Sequence, residues 1–262
     1  RGNVTAFFTY HDQDPVTQGK RDYSACQVNT NAAGIAGCAG SSNSNIFYLA
    51  DGTGDDFAVL GNAFVPYDPN ASTTPVPRFN SNDYSYLMQQ NTRYTAGFFA
   101  HYEVSDKVEL YSDFNFMDSR SNVQIAPTGL FQGSGATDTG GFLVNCDNPF
   151  LSGQQRGAIG CTADEIAAGA TKDLYIGRRN IEGGGRNSYY QHQNYRIVGG
   201  ARGSIVDSWK FDVYGSYYYT SLYQASENYL SISRIQEALL VQPGASGPEC
   251  ISGGSCVPYY IF

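Results

Sequence analysis

The chain has 262 residues, of which 41% are hydrophobic, 14% aromatic and 15% charged, with 30 Gly, 21 Tyr and a formal net charge of −8. A soluble domain usually carries about 25% charged residues, so this chain is poor in charge, and its aromatic content separates it from disordered sequences. The acidic balance excludes a phosphate-binding surface, which needs clustered Lys and Arg, so no nucleic-acid partner is expected. No run of ~18 apolar residues occurs, which excludes a membrane-spanning helix. A β-barrel facing lipid on one side and water on the other remains, as does a secreted β-sandwich or propeller with similar totals.

Arg1 leads directly into a strand-like segment without a signal peptide, so the sequence is expected to be a mature form or a piece of something longer. In that segment Val4, Ala6, Phe8 and Tyr10 alternate with Asn3, Thr5, Thr9 and His11, the period of two that puts alternate side chains on opposite faces of a sheet. Cys26 and Cys38 follow, flanking a Gly/Ala/Asn stretch, and then three short strands are expected at 46–50, 57–60 and 62–67. Alternation returns at 94–104, where Tyr94, Ala96, Phe98, Ala100, Tyr102 and Val104 oppose Thr95, Gly97, Phe99, His101 and Glu103. After a tight turn at 105–106 it continues with Val108, Leu110, Phe114 and Phe116 against Glu109, Tyr111, Asp113 and Asn115. Two runs of about ten residues joined in this way match a transmembrane hairpin.

A long interval containing Cys146 and Cys161 comes next, with a helical turn expected at 164–168. A second hairpin follows. Tyr195, Ile197, Gly199 and Ala201 alternate with Asn194, Arg196, Gly200 and Arg202; after a turn at 205–208, Trp209, Phe211, Val213, Gly215, Tyr217 and Tyr219 oppose Lys210, Asp212, Tyr214, Ser216 and Tyr218. Residues 233–241 have helical spacing with Ser233 as N-cap, and Cys250 and Cys256 enclose the last short loop.

The cysteines thus fall into three local pairs, Cys26–Cys38, Cys146–Cys161 and Cys250–Cys256. An even count in loop-like surroundings reads as disulfides made in an oxidising compartment, and no CxxC or Cys/His spacing supports zinc. Closing such a loop typically contributes ~3 kcal/mol. The apolar set of each strand is nearly free of charge, whereas the other set holds Glu109, Asp113, Arg196, Arg202, Lys210 and Asp212. Sandwich and barrel share this pattern; the connections separate them. Short turns alternate with long, cysteine-bearing intervals, which compact soluble domains rarely contain and which match periplasmic turns and extracellular loops. Aromatics near strand ends fit an interfacial girdle.

Residues 93–104, the run from Asp113 to Arg120, and Gln124-Ile-Ala-Pro-Thr-Gly-Leu-Phe together resemble the barrel of TonB-dependent outer-membrane receptors, in particular the group from sphingomonads and Caulobacter-like bacteria. Gly177-Arg-Arg-Asn-Ile-Glu-Gly-Gly-Gly-Arg, Tyr195-Arg-Ile-Val-Gly-Gly-Ala-Arg-Gly, Asp212-Val-Tyr-Gly and the Cys256-Val-Pro-Tyr-Tyr-Ile-Phe ending are similar to the family as well. The resemblance implies an all-β fold, an antiparallel transmembrane segment of a 22-stranded barrel, located in the bacterial outer membrane with its loops extracellular. It implies import of a scarce nutrient, a siderophore, saccharide or similar, driven through TonB. No plug-like segment is found, and about five strands cannot close so wide a barrel. Residues 1–262 are therefore expected to be an interior part of the barrel domain; Phe262 resembles a terminal aromatic, but in the family the matching stretch lies mid-barrel. The alternative is a barrel without active transport, a passive porin or a surface adhesin.

No catalytic constellation is present, so an enzyme is not expected. His11, His101 and His192 lie in different strands without a nucleophile motif, and G-x-S-x-G is missing. Asp55-Asp56 and Asp164-Glu165 read as solvated acids, since calcium needs several further oxygen ligands. Gly183-Gly-Gly lacks the strand–loop–helix context of a phosphate cradle. No cofactor or metal is implied. Candidate ligand contacts are the loop aromatics Phe47, Tyr48, Phe64 and Tyr67, because binding concentrates on loops, together with Arg178, Arg179 and Arg186, whose forks suit anionic groups. Arg196 and Arg202 belong to the same series, and all five arginines have an alternative use, pairing with Asp113, Asp212 and Glu109 across the lumen wall.

Overall fold

Alternating side chains produce long strands here, and the computed structural model shows where they run. It describes residues 1–30, 33–41, 43–44, 46–49, 56–68 and 77–262, and of 46–49 the backbone alone. The first part of the chain forms β1 (Gly2–Gln13), β2 (Val16–Thr17), β3 (Gln27–Thr30), β4 (Ala36–Ala39), β5 (Ile46–Leu49), β6 (Phe57–Leu60) and β7 (Ala63–Pro66). There follow β8 (Tyr86–Met88), β9 (Gln90–Ser105), β10 (Val108–Pro127), β11 (Gly129–Leu130), β12 (Phe142–Asn145), α1 (Gly153–Ala158), α2 (Ala163–Ala168) and β13 (Thr171–Arg179). The last part holds β14 (Gly185–Val206), β15 (Trp209–Glu227), α3 (Ile232–Leu239), β16 (Val241–Gly244) and β17 (Gly247–Cys250). The fold is all-β with antiparallel sheets and, among the described residues, three short α-helices. Among the described residues no helix is long and apolar enough to cross a membrane.

The chain divides into two units. The first comprises Arg1–Lys20, Ser85–Ile125 and Arg186–Glu227 and is built on one sheet of order β1-β9-β10-β14-β15. Its register keeps like faces together: Tyr10 lies opposite Tyr94, Ala6 opposite Phe98, Phe114 opposite Phe98, and Tyr195 opposite Tyr219. The hairpins β9–β10 and β14–β15 close tightly, with small register shifts beside their turns. Val198 is the only large hydrophobic side chain of this unit that is fully buried among the described residues. A sheet of this size normally buries one face against another layer, and within its own unit this one does not.

The second unit, Arg21–Tyr84, Ala126–Gly185 and Asn228–Phe262, has an ordinary core. Strands run in the order β11-β13-β5-β6-β7, with β12 also on β13. Leu130, Phe142, Val144, Leu174, Ile176, Leu239 and Phe262 are buried together, joined by Phe64, Leu151 and Ile159. Both α1 and α2 begin with capping boxes, Ser152 with Gln155 and Thr162 with Glu165, in which each helix-start side chain satisfies the other residue's backbone N–H. All three disulfides form as the spacing suggests, Cys26–Cys38, Cys146–Cys161 and Cys250–Cys256. Each of the three stretches that make up this unit carries one of them.

Candidate functional site

The first unit's sheet presents two chemically distinct faces. One carries Val4, Ala6 and Phe8 of β1, then Ala96, Phe98 and Ala100 of β9, and Leu110, Phe114 and Phe116 of β10, kept in line by the register. Ile197 and Ala201 of β14 with Phe211 and Val213 of β15 form its other half. Much of this surface is bare: Val4 is 72% exposed, Phe8 68% and Val213 68%. Ser112 interrupts it, but its hydroxyl donates to the Val198 carbonyl at 2.8 Å, so no polar group is left unsatisfied there.

Aromatic rings bound this apolar band at both ends. Tyr10 and Tyr94 pack at 5.2 Å, and Tyr195 stacks on Tyr219 at 5.3 Å; Tyr102 and Trp209 stand at the end with the short turns. From the level of the first girdle the same face becomes polar. Asp118, level with Tyr94 and almost buried, accepts from Arg120 Nε at 2.9 Å, from Gln191 Nε2 at 2.9 Å and from the Gln193 amide. Beyond it Thr92 donates to Asp12 at 2.9 Å.

The opposite face carries the charge. Arg196 pairs with Asp113 at 3.1 Å, and Arg202 Nε donates to Glu109 at 2.7 Å while His101 Nδ1 lies 3.1 Å from the same carboxylate. Tyr111 passes over Gly200 and donates to Asp212 at 2.7 Å, with the Arg202 guanidinium 5.2 Å from its ring centre. A Cβ on Gly200 would come within 2.5 Å of the Tyr111 ring, so this crossing needs glycine. Arg196 and Arg202 are thus engaged by Asp113 and Glu109, whereas Asp212 is held by a tyrosine. His192 meets the Thr220 hydroxyl at 3.1 Å. Among the described residues no group of three or more His, Cys, Asp or Glu gathers as a metal site.

The loop residues singled out from the sequence are dispersed. Phe47 and Tyr48 belong to β5, and their side chains lie outside the described residues, as do Ala50 and Asp55. Phe64 is 2% exposed and packs against Phe57 and Phe262. It is drawn inward because Gln154 of α1 grips both its N–H and its carbonyl, at 2.9 and 2.8 Å. Tyr67 is buried beside Ala58. Arg178 and Arg179 are neighbours on β13 and so point to opposite faces. Arg178 pairs with Glu182 and donates to the Tyr259 hydroxyl at 2.7 Å. Arg179 donates to the Pro127 carbonyl at 3.0 Å and the Ser41 hydroxyl at 3.1 Å, between the rings of Phe79 and Phe131. Arg186 stands half-buried at the start of β14, in the first unit. The guanidinium of Arg178 pulls the Glu182 carboxyl below its usual value. Burial pushes the Tyr259 phenol up, partly opposed by Arg178.

A cleft that sequence reasoning missed opens in the second unit between α3 and the loop closed by Cys250–Cys256. Its volume is about 770 Å³. Leu230, Ile235, Ala238 and Pro258 line it, with Tyr229, Arg234, Glu237, Ser252 and Ser255 at its exposed rim. The helical spacing after Ser233 was its one legible trace. The helix itself is Ile232–Leu239, with Ser231 at the N-cap position.

The sequence matches no family model, no curated protein and no solved structure.

Proposed function

We propose that this chain is a section of the wall of an outer-membrane β-barrel, and that the barrel is a receptor importing a scarce nutrient with energy relayed through TonB. The observation that carries the barrel reading is the five-stranded sheet whose apolar face stays bare between two aromatic girdles. In water such a surface is a liability; against lipid it is what a barrel wall requires. From Tyr94 to Tyr102 the strand covers about 26 Å, or ~20 Å of membrane thickness at the usual barrel tilt. Asp118 and Arg120 then fall at the headgroups, and the charged face with its Arg–carboxylate pairs turns to the lumen. The outer strands β1 and β15 each have one neighbour among the described strands, and an unpaired edge in hydrocarbon is very costly. Further strands of the same polypeptide therefore complete the ring. The disulfide-bearing unit, fed by the long connections, is the extracellular part.

The receptor role rests on the resemblance of the strand and loop motifs to TonB-dependent receptors. Trp209 is the sole tryptophan and makes the barrel reading measurable. Reconstituted in vesicles within the full polypeptide, with any tryptophan outside these 262 residues replaced by Phe, its fluorescence should be quenched by lipids brominated high on the acyl chain. Indifference to brominated lipid, or recovery of the protein in soluble periplasm, would sink the barrel. Nutrient uptake that continues after collapse of the proton gradient would instead favour a passive porin.

A further inference from the structure

We propose that the cleft between α3 and the Cys250–Cys256 loop is a binding site for a neutral saccharide. As the capture site of an importer it rests on the barrel reading; its affinity for sugar does not. The first support is that its walls are fixed in advance. Asn145 holds Val241 through both its N–H and its carbonyl, at 3.0 and 2.8 Å, and Asn148 donates to the Leu239 carbonyl at 2.9 Å. Gln236 grips the Leu143 N–H and carbonyl, each at 2.9 Å. The far wall is tied to the helix end by Ile251 N–H to the Leu240 carbonyl and Tyr259 N–H to the Ala238 carbonyl, each 2.9 Å, besides the disulfide. A ligand entering such a cleft has little ordering left to impose.

The second support is what the rim leaves uncommitted. Several charged groups elsewhere in this unit are engaged, Arg178 by Glu182, Lys172 by Glu165, Arg156 by the Asn148 carbonyl and Asp173 by Thr137 and Thr139, whereas Arg21, Asp138 and Asp164 stand free in solvent. Among the described residues, the side chains of Arg234, Glu237, Ser252 and Ser255 make no hydrogen bond or ion pair. They surround an apolar floor beside Tyr229, 55% exposed. One cation, one anion and two hydroxyls offer donors and acceptors in equal measure without net charge. A metal chelate or phosphate ester would need an excess of cations. A pyranose fits better, since its apolar ring face suits an aromatic side chain and its hydroxyls both donate and accept. The volume is within the range of small-molecule sites.

Calorimetric titration of the full chain with maltotetraose, cellotetraose and xylotetraose tests the assignment, with tetraglycine as comparison. At least one glycan should bind, and Arg234→Met and Tyr229→Ala should each weaken it about tenfold or more. Arg234 is exposed and makes no hydrogen bond, so its loss leaves the fold intact; Tyr229 has a contact within the protein, so circular dichroism checks that its variant is folded. Heat from none of the glycans at about 5 mM, binding of tetraglycine alone, or affinity indifferent to both substitutions overturns the proposal. Quenching of Trp209 by brominated lipid is read on the same samples, so a failure of the cleft and a failure of the barrel are told apart.

Discussion

Glu165 shows how much one side chain can do at a helix start. It receives the Thr162 N–H at 2.9 Å and Lys172 Nζ at 2.7 Å, and the Lys172 contact first, then the Thr162 backbone, holds its carboxyl at about 2. Because the folded value lies below the unfolded one, this stabilisation is complete above the ordinary glutamate range. It is lost as pH falls from there towards about 2. Near-ultraviolet circular dichroism should record a loss of structure over that window, and Glu165→Gln should flatten it. Gly200 makes a different kind of contribution. Gly200→Ala should displace the Tyr111 ring and break its bond to Asp212, costing about 0.5–1.5 kcal/mol. Denaturant midpoints should show that it costs less once Tyr111→Phe is present, since the bond to Asp212 is then already gone and only the clash with the ring remains. At this scale the sequence was only partly legible. The three cysteine pairs stood out because each is local, but Phe64 reads as a loop aromatic and is core. Its burial depends on Gln154, far away in the chain, and periodicity carries no trace of such a contact.

The long strands were the most legible elements, because one face of each carries a nearly continuous apolar set. Their ends were not. β14 starts at Gly185, well before the alternation becomes visible, since Gln191 and Gln193 occupy the apolar side once Asp118 has marked its limit. β13 is hard to see in the sequence for another reason: its Leu174 and Ile176 serve the core of the second unit, and the strand ends on the charged pair Arg178 and Arg179. Strand faces can be tested by pairing neighbours. If the apolar face meets lipid as proposed, Ala6→Arg should cost about 2–4 kcal/mol in vesicle-folded protein, because it puts a cation near the middle of that face. Thr5→Arg, one residue away on the polar face, should cost far less. Equal costs in urea titrations would show that the two faces meet the same solvent. Inside the second unit, Phe142→Ala removes a wholly buried ring and should lower that unit's stability by about 3–5 kcal/mol, read as a shift in its denaturant midpoint.

On the scale of the molecule, stability is divided by mechanism: the sheet of the first unit has long hydrogen-bonded ladders and no disulfide, whereas the second has a packed core and all three. Reduction should therefore open the second unit to trypsin while the hydrogen-bonded sheet of the first unit, folded in vesicles, keeps its protection, each lost bridge costing ~3 kcal/mol. Simultaneous digestion of both would contradict separate sources of stability. This division was not legible in the sequence, because the second unit is assembled from three stretches interleaved with the strands. The bridges also have a consequence for how the chain is made. Six cysteines can pair in 15 ways, yet each here joins the next one along the chain, at separations of 12, 15 and 6 residues. Every pair comes within reach as soon as its own excursion emerges, on the short timescale of closing a small loop. No bridge staples one excursion to another, so oxidation cannot lock the strands in a wrong order, and the sheet remains free to be threaded into place after its loops have already been sealed.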